Sequence, residues 1–176
     1  MYKVGVIGPE STGKSTLSKY LANRYAGLWV PEYAREYMES LAPMYAYTHE
    51  DVLRIAEFQV LQMRELCEHH RLLLSKGYQK DTEGISQPIN GLSSVFFDTE
   101  LIITQVWLLH KYGECPTFVE QALRTYPMDV YLLCYPDLPW QPDPVRENPM
   151  LREYLFDWYE REIQALGIPY YIIMRE

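Results

Sequence analysis

Residues Gly8 to Ser15 read GPESTGKS, and the fold follows from how that stretch is read. A glycine, four variable positions and then Gly-Lys-Ser is the pattern of a phosphate-binding loop, provided that a strand precedes it and a helix follows. Both are present. YKVGVI (Tyr2 to Ile7) is a short apolar strand, and Leu17, Tyr20, Leu21 and Tyr25 recur at helical spacing over Lys14 to Tyr25. Gly8 and Gly13 let the backbone wrap closely, and the N–H groups of Gly13 through Ser15 turn inward at a helix start, where the dipole favours an anion. Gly8, Pro9, Glu10, Ser11, Thr12, Gly13, Lys14, Ser15 and Thr16 are therefore the expected cradle for ATP. Lys14 supplies a point charge to the β and γ phosphates, and the Ser15 hydroxyl is a ligand for Mg²⁺.

Outward from this unit, apolar β-rich runs alternate with helical patterns. GLWV (Gly27 to Val30) reads as a second strand, and Pro31 opens a helix through PEYAREYMESL, where proline at the first helical position is tolerated. Thr48 begins a long helix, THEDVLRIAEFQVLQMRELCEHH, with Asp51 closing a capping box. Its expected apolar stripe is Val52, Ile55, Phe58 or Gln59, Leu61 or Gln62, and Leu66. Residues 75–93, SKGYQKDTEGISQPINGLS, break the pattern and form a long insert loop. SVFFD (Ser94 to Asp98) returns to strand, TELIITQVWLLHKYG is a helix ended by Gly113, PTFVEQALRTY another helix, and DVYLLC another strand. A proline-rich, lid-like segment, 137–150, precedes the helix MLREYLFDWYEREIQAL, capped by Gly167, and the last strand PYYIIM. Five fully buried strands separated by helices predict an α/β protein, a three-layer α/β/α fold on a five-stranded parallel sheet.

Composition narrows the function classes. With 176 residues and 48% apolar content, the chain is sized for one domain, 1–176. A net charge of -8 argues against a nucleic-acid partner, which needs clustered Lys and Arg. Cys67, Cys115 and Cys134 are too scattered for a disulfide framework or a zinc site, and His49, His69, His70 and His110 are read as structural. Nothing resembles a signal peptide or a membrane span, so a soluble, cytoplasmic protein is expected.

Asp98 ends the apolar strand VFFD, where a carboxylate holds Mg²⁺ or its waters. Glu32 and Arg35 follow the second strand one helical turn apart, and both can face the cleft above the carboxyl ends of the sheet. An exposed ion pair is the competing reading of that pair. A guanine-selective N/T-K-x-D element is missing, which disfavours a switch, and the chain is small for a motor. An acceptor-side carboxylate and a late arginine-bearing lid favour a kinase.

The set GPESTGKST, EYAREY, FDTELIITQVW and LPWQPDPVREN, in this order, resembles the ribosylnicotinamide kinase domain of NadR-type proteins over almost the whole chain. The resemblance implies ATP-dependent phosphorylation of nicotinamide riboside to the mononucleotide on a nucleoside-kinase-like fold. It implies an acceptor site from Glu32, Tyr33, Tyr37, Asp98 and Trp140, because a pyridinium cation favours aromatic faces and carboxylates; core packing is the competing reading of Tyr33 and Tyr37, and packing under the lid that of Trp140. Lys14, Arg35 and Arg146 are the expected charges on the transferring phosphoryl group, with Arg152 a second choice, and either Glu32 or Asp98 receives the hydroxyl proton. In that family an adenylyltransferase domain precedes the kinase domain; here the kinase strand opens the sequence, so a separate adenylyltransferase is the expected functional link. The family's Asp-Gly in the lid is Asp143-Pro144 here, a stiffer backbone. The alternatives are a kinase of another nucleoside or nucleotide, such as thymidylate, and a slow regulatory ATPase.

Overall fold

The computed structural model describes residues 1–41, 45–75, 94–143 and 146–175. Strand β1 (Tyr2–Ile7) leads into helix α1 (Lys14–Arg24) and β2 (Leu28–Val30). Helices α2 (Tyr33–Ser40) and α3 (His49–Ser75) precede β3 (Ser94–Asp98), α4 (Leu101–Tyr112) and α5 (Thr117–Thr125). Strand β4 (Val130–Cys134), helix α6 (Arg152–Leu166) and β5 (Tyr170–Ile173) complete the order. All strand pairs are parallel and the sheet order is β2-β3-β1-β4-β5. The chain leaves β1 toward one side and later returns to its other side, so the sheet's switch point lies beside β1.

Alternation along the strands builds two cores. Val4 and Val6, Phe96, and Val130 and Cys134 face α1, where Ala22, Leu17 and Leu21 cover them. Ile7, Val95, Phe97, Tyr131 and Leu133 face the opposite way, under the buried sides of α3, α4, α5 and α6. These are the three layers expected of buried parallel strands.

Several local expectations change. Helix α1 buries Ser18 and Ala22, while Tyr20 and Tyr25 are each 60% exposed. Small residues bring the helix close to the sheet, and the Trp29 indole N–H donates to the Ser18 hydroxyl at 3.1 Å. Pro31 stands outside α2: Glu32 is its extended N-cap, with φ -66° and ψ 100°. Val30, which precedes the proline, stays extended as the last residue of β2, and Pro31 and Glu32 make the turn into α2. The capping box of α3 is present, with Thr48 N–H donating to Asp51 Oδ2 at 2.7 Å and the Thr48 hydroxyl at 2.8 Å. The Thr48 backbone amide, then burial acting the other way, then three hydroxyls set the Asp51 carboxyl; the bonds prevail and lower it to about 2. The buried stripe of α3 is Val52, Ile55, Ala56, Gln59 and Met63, whereas Phe58 and Leu61 are exposed. Gln59 is tolerated there because the Thr104 hydroxyl donates to its Oε1 at 2.7 Å. Strand β5 is an edge with Tyr171 and Ile172 exposed, not a fully buried strand. Insert residues 76–93 lie outside the described residues. No helix among the described residues is long and apolar enough to cross a membrane.

Gly5 lies opposite Tyr131 in the β1–β4 register, and a Cβ there would stand 2.6 Å from the Tyr131 ring, which is 1% exposed. Gly5→Ala should therefore destabilise by about 1–3 kcal/mol through overpacking, read as a lower urea midpoint at unchanged m-value; an unchanged midpoint would refute the packing argument.

Candidate active site

The turn after β1 approaches β4 so closely that a Cβ at Gly8 would meet the Cys134 carbonyl at 2.5 Å. Gly8 adopts φ 147° and Gly13 φ 79°, conformations open to glycine, and between them Ser11 takes φ 57°. Gly13 is the N-cap of α1 and no side chain caps that end. The first amides of the helix, Lys14 onward, thus remain donors for an incoming anion. The Thr12 hydroxyl and the Lys14 ammonium both donate to the Pro9 carbonyl, at 2.8 and 2.7 Å. The Lys14 ammonium thus rests on its own loop.

Glu10 is a carboxylate within a loop built for anions, and its partners explain why it is tolerated. Its Oε1 and Oε2 accept the backbone N–H groups of Glu147 and Asn148 at 3.1 and 3.0 Å. The charge is thereby spent on the segment after β4. Arg152, at the start of α6, donates to the carbonyls of Glu10, Ser11 and Leu138 at 3.1, 3.1 and 2.9 Å. Arg152, the second choice for a phosphate arginine, is thus held by carbonyls of the loop and of Leu138.

Parallel pairing sets Val6 opposite Asp98, and the Thr99 N–H donates to the Val6 carbonyl at 3.1 Å. Asp98 is 2% exposed, and its Oδ1 has no protein partner. Burial pushes its carboxyl up to about 6, against the opposing hydrogen bond from Ser15 and the charges of Lys14 and Arg35. An orphaned buried carboxylate oxygen beside a serine hydroxyl suits Mg²⁺, which takes one or two protein oxygens and otherwise waters and phosphates. No group of three or more His, Cys, Asp or Glu that could form a metal cage occurs among the described residues. Thr99 takes φ 68°, rare for a β-branched residue. Glu100 then caps α4, accepting the Ile102 N–H at 3.0 Å.

A cavity of about 810 Å³ runs from this loop to the ends of β2 and β3. Its far half includes Glu32, Arg35, Met38, Tyr47, Ile103 and Trp107. Arg35 lies 3.7 Å from Glu32, 3.6 Å from Glu39 and 3.0 Å from Asp143. Burial works against its charge, but the Asp143 bond and the three carboxylates prevail and hold its pKa above the ordinary value. Arg146 lines the cavity, with its guanidinium donating to the Gln141 carbonyl at 2.7 Å.

The structure thus brings Lys14, Ser15, Glu32, Arg35 and Arg146 to the wall of one cavity, with Asp98 buried behind it rather than among the lining residues. Tyr33, Tyr37 and Trp140 do not line the cavity. Tyr33 stacks on Phe58 with centroids 3.7 Å apart, and the Tyr37 hydroxyl donates to Asp51 Oδ1 at 2.8 Å, so α3 claims both rings. The aromatic corner comes instead from Tyr47 and Trp107, edge to face at 5.1 Å and 74°. His110, read as structural, also reaches the wall. Ile103, Trp107 and His110 repeat every three or four residues on α4, a signal in the sequence that the surrounding apolar run conceals.

A family model described as an AAA domain matches residues 3–176, and the chain belongs to that family. Among solved structures the chain is similar to a NadR protein in complex with NR, at TM-score 0.70 and 22% identity, over 97% of this chain and 45% of that one. A NadR protein in complex with NAD and AMP-PNP matches at TM-score 0.64 and 20% identity, over 97% and 44%. The chain thus spans less than half the length of both. A thymidylate kinase from Ehrlichia chaffeensis matches at TM-score 0.59 and 12% identity, over 99% of this chain and 87% of that one. The fold is that of P-loop kinases.

Burial raises the Glu100 carboxyl to about 7, although the Ile102 amide and Tyr131 favour its charge. The folded state then binds more protons than the unfolded chain between the ordinary carboxylate range and about pH 7, so stability falls as pH rises through that window. Asp98 contributes in the same direction up to about pH 6. Glu100→Gln keeps an acceptor for Ile102 and should flatten the dependence of Tm on pH between about 4.5 and 7; an unaltered slope would contradict the assignment.

Proposed function

We propose that this member of the AAA domain family is an ATP-dependent kinase that phosphorylates nicotinamide riboside to nicotinamide mononucleotide. One observation carries the reading: a single cavity joins a phosphate loop to a half walled by Glu32, Glu39, Tyr47 and Trp107. A pyridinium cation is attracted by aromatic faces and by carboxylates, and that half offers both. The charges also favour an uncharged hydroxyl acceptor over one carrying a phosphate. Arg35, on the acceptor side, is surrounded by Glu32, Glu39 and Asp143, which compete with any phosphate for it. The NadR protein solved with NR and the one solved with AMP-PNP have this fold, which supports the same pairing of substrates.

In this reading the ribose 5′-hydroxyl attacks the γ-phosphorus in line, the new O–P bond forms as the bridging bond to ADP breaks, and the hydroxyl proton passes to a carboxylate. Glu32 is the better base, because it faces the acceptor half, whereas Asp98 lies behind Ser15 and suits the metal. Lys14 swings from the Pro9 carbonyl to the phosphates, and with Arg146 it neutralises charge on the transferring group. Mg²⁺, held by Ser15 and Asp98, would screen the phosphate oxygens when bound. The protein's contribution is mainly position and charge. In this reading the activity is cytoplasmic and the mononucleotide goes on to an adenylyltransferase step.

Purified protein with Mg-ATP and a nucleoside and nucleotide panel should yield nicotinamide mononucleotide by mass, and Lys14→Ala should lower kcat/KM by about 10²-fold or more. Turnover of thymidylate or another acceptor in its place would replace the substrate assignment, and ATP loss without a phosphorylated acceptor would point to a regulatory ATPase. Full activity in Lys14→Ala would refute the site.

A further inference from the structure

The Tyr47 hydroxyl is the most heavily used phenol in the cleft. It donates to Glu147 Oε2 at 2.7 Å and accepts the Trp107 indole N–H at 3.1 Å and the Lys111 ammonium. Lys111 also bonds Glu147 at 3.1 Å, and its Nζ lies 3.9 Å from the Tyr47 ring centroid. The backbone of the same Glu147 donates to Glu10 in the phosphate loop. One residue therefore touches both halves of the cleft, its amide on the donor loop and its carboxylate on the aromatic corner. Arg152 holds the other side of the segment to Glu10 and Ser11, so Glu147 has a fixed anchor.

We infer that Glu147 and Lys111 are positioning residues that join the phosphate loop to the acceptor wall, so that nucleotide and acceptor bind cooperatively. The inference rests on the two-substrate reading above. A phenol with three partners cannot rotate freely, and its ring stays edge-on to Trp107, the geometry the acceptor's base would meet. A nucleotide that tightens the phosphate loop would hold Glu10, and through the amide and carboxylate of Glu147 would hold Tyr47 as well. By reciprocity, an acceptor that orders Tyr47 tightens the nucleotide by the same factor. Both charges are partly exposed, at 37% and 46% of the side chain, so the effect is moderate and is weakened by salt.

The test uses Lys111→Met, because among the described residues Lys111 bonds Tyr47 and Glu147 but nothing in the phosphate loop. In calorimetry with AMP-PNP and Mg²⁺, saturating nicotinamide riboside should tighten nucleotide binding to the wild-type protein about threefold and leave that of the variant unchanged; with saturating ATP, the variant's acceptor KM should rise about three- to tenfold while kcat stays within about twofold. Lys111→Arg should restore both, and adding Glu147→Gln to Lys111→Met should cost little more, because the two act as one unit. Unchanged constants in a Lys111→Met protein of wild-type Tm, or effects that simply add, would overturn the inference. Should Glu147→Gln fail to fold, the lysine pair decides alone. Wild-type protein that phosphorylates no nucleoside would overturn the acceptor assignment, whereas wild-type protein that does so without any tightening of the nucleotide would overturn the link alone.

Discussion

The parallel pairing of β1 with β3 is the constraint on which the site depends. With Val6 opposite Asp98 and the Thr99 amide on the Val6 carbonyl, the ends of the two central strands are locked at the same height. The phosphate loop begins at one end and the buried carboxylate ends the other. A slip of one residue would turn Asp98 to the opposite face of the sheet and send Phe97 toward the cleft. The buried, alternating faces of β1 and β3 prevent that slip, so the hydrophobic core fixes the distance between Ser15 and Asp98.

Around that fixed pair the charges are arranged as bound groups rather than as loose surface ions. Glu10 is engaged by two backbone amides, Arg152 by three carbonyls, and Arg35 by carboxylates from two segments. Apart from the local Arg35–Glu32 pair, each of these contacts crosses from one stretch of chain to another. The segment after β4 is therefore built into both walls of the cleft: Asp143 reaches α2, Glu147 reaches α4, and their neighbours reach the phosphate loop. A helix dipole and a lysine make an anion site, but these crossings give the site a second compartment.

Much of this was legible in the chain. The loop pattern between a strand and a helix, the capping box at Thr48 and the glycine stops at Gly113 and Gly167 are local, and local chemistry decided them. Aromatic roles were not legible. Tyr33 and Tyr37 sit in the same short motif as Glu32 and Arg35, yet helical geometry turns them toward α3 while Arg35 faces the cleft. Trp107 lies in a run so apolar that its cavity face cannot be told from its core face. Arg152 looked like a phosphate ligand because its charge is visible in sequence, whereas the three carbonyls that capture it are brought together only by the fold.

Sequence by itself determined the phosphate loop, since such a loop is made from contiguous residues whose backbone conformation and helix dipole need no distant partner. It also determined the parallel α/β architecture, through buried strands alternating with helices. Tertiary structure alone decided the far half of the cavity: which tyrosine lines it, which carboxylates engage Arg35, and which oxygen of Asp98 is buried without a protein partner. Those properties depend on contacts between residues far apart in the chain, and desolvation and charge neutralisation exist only once the contacts are made.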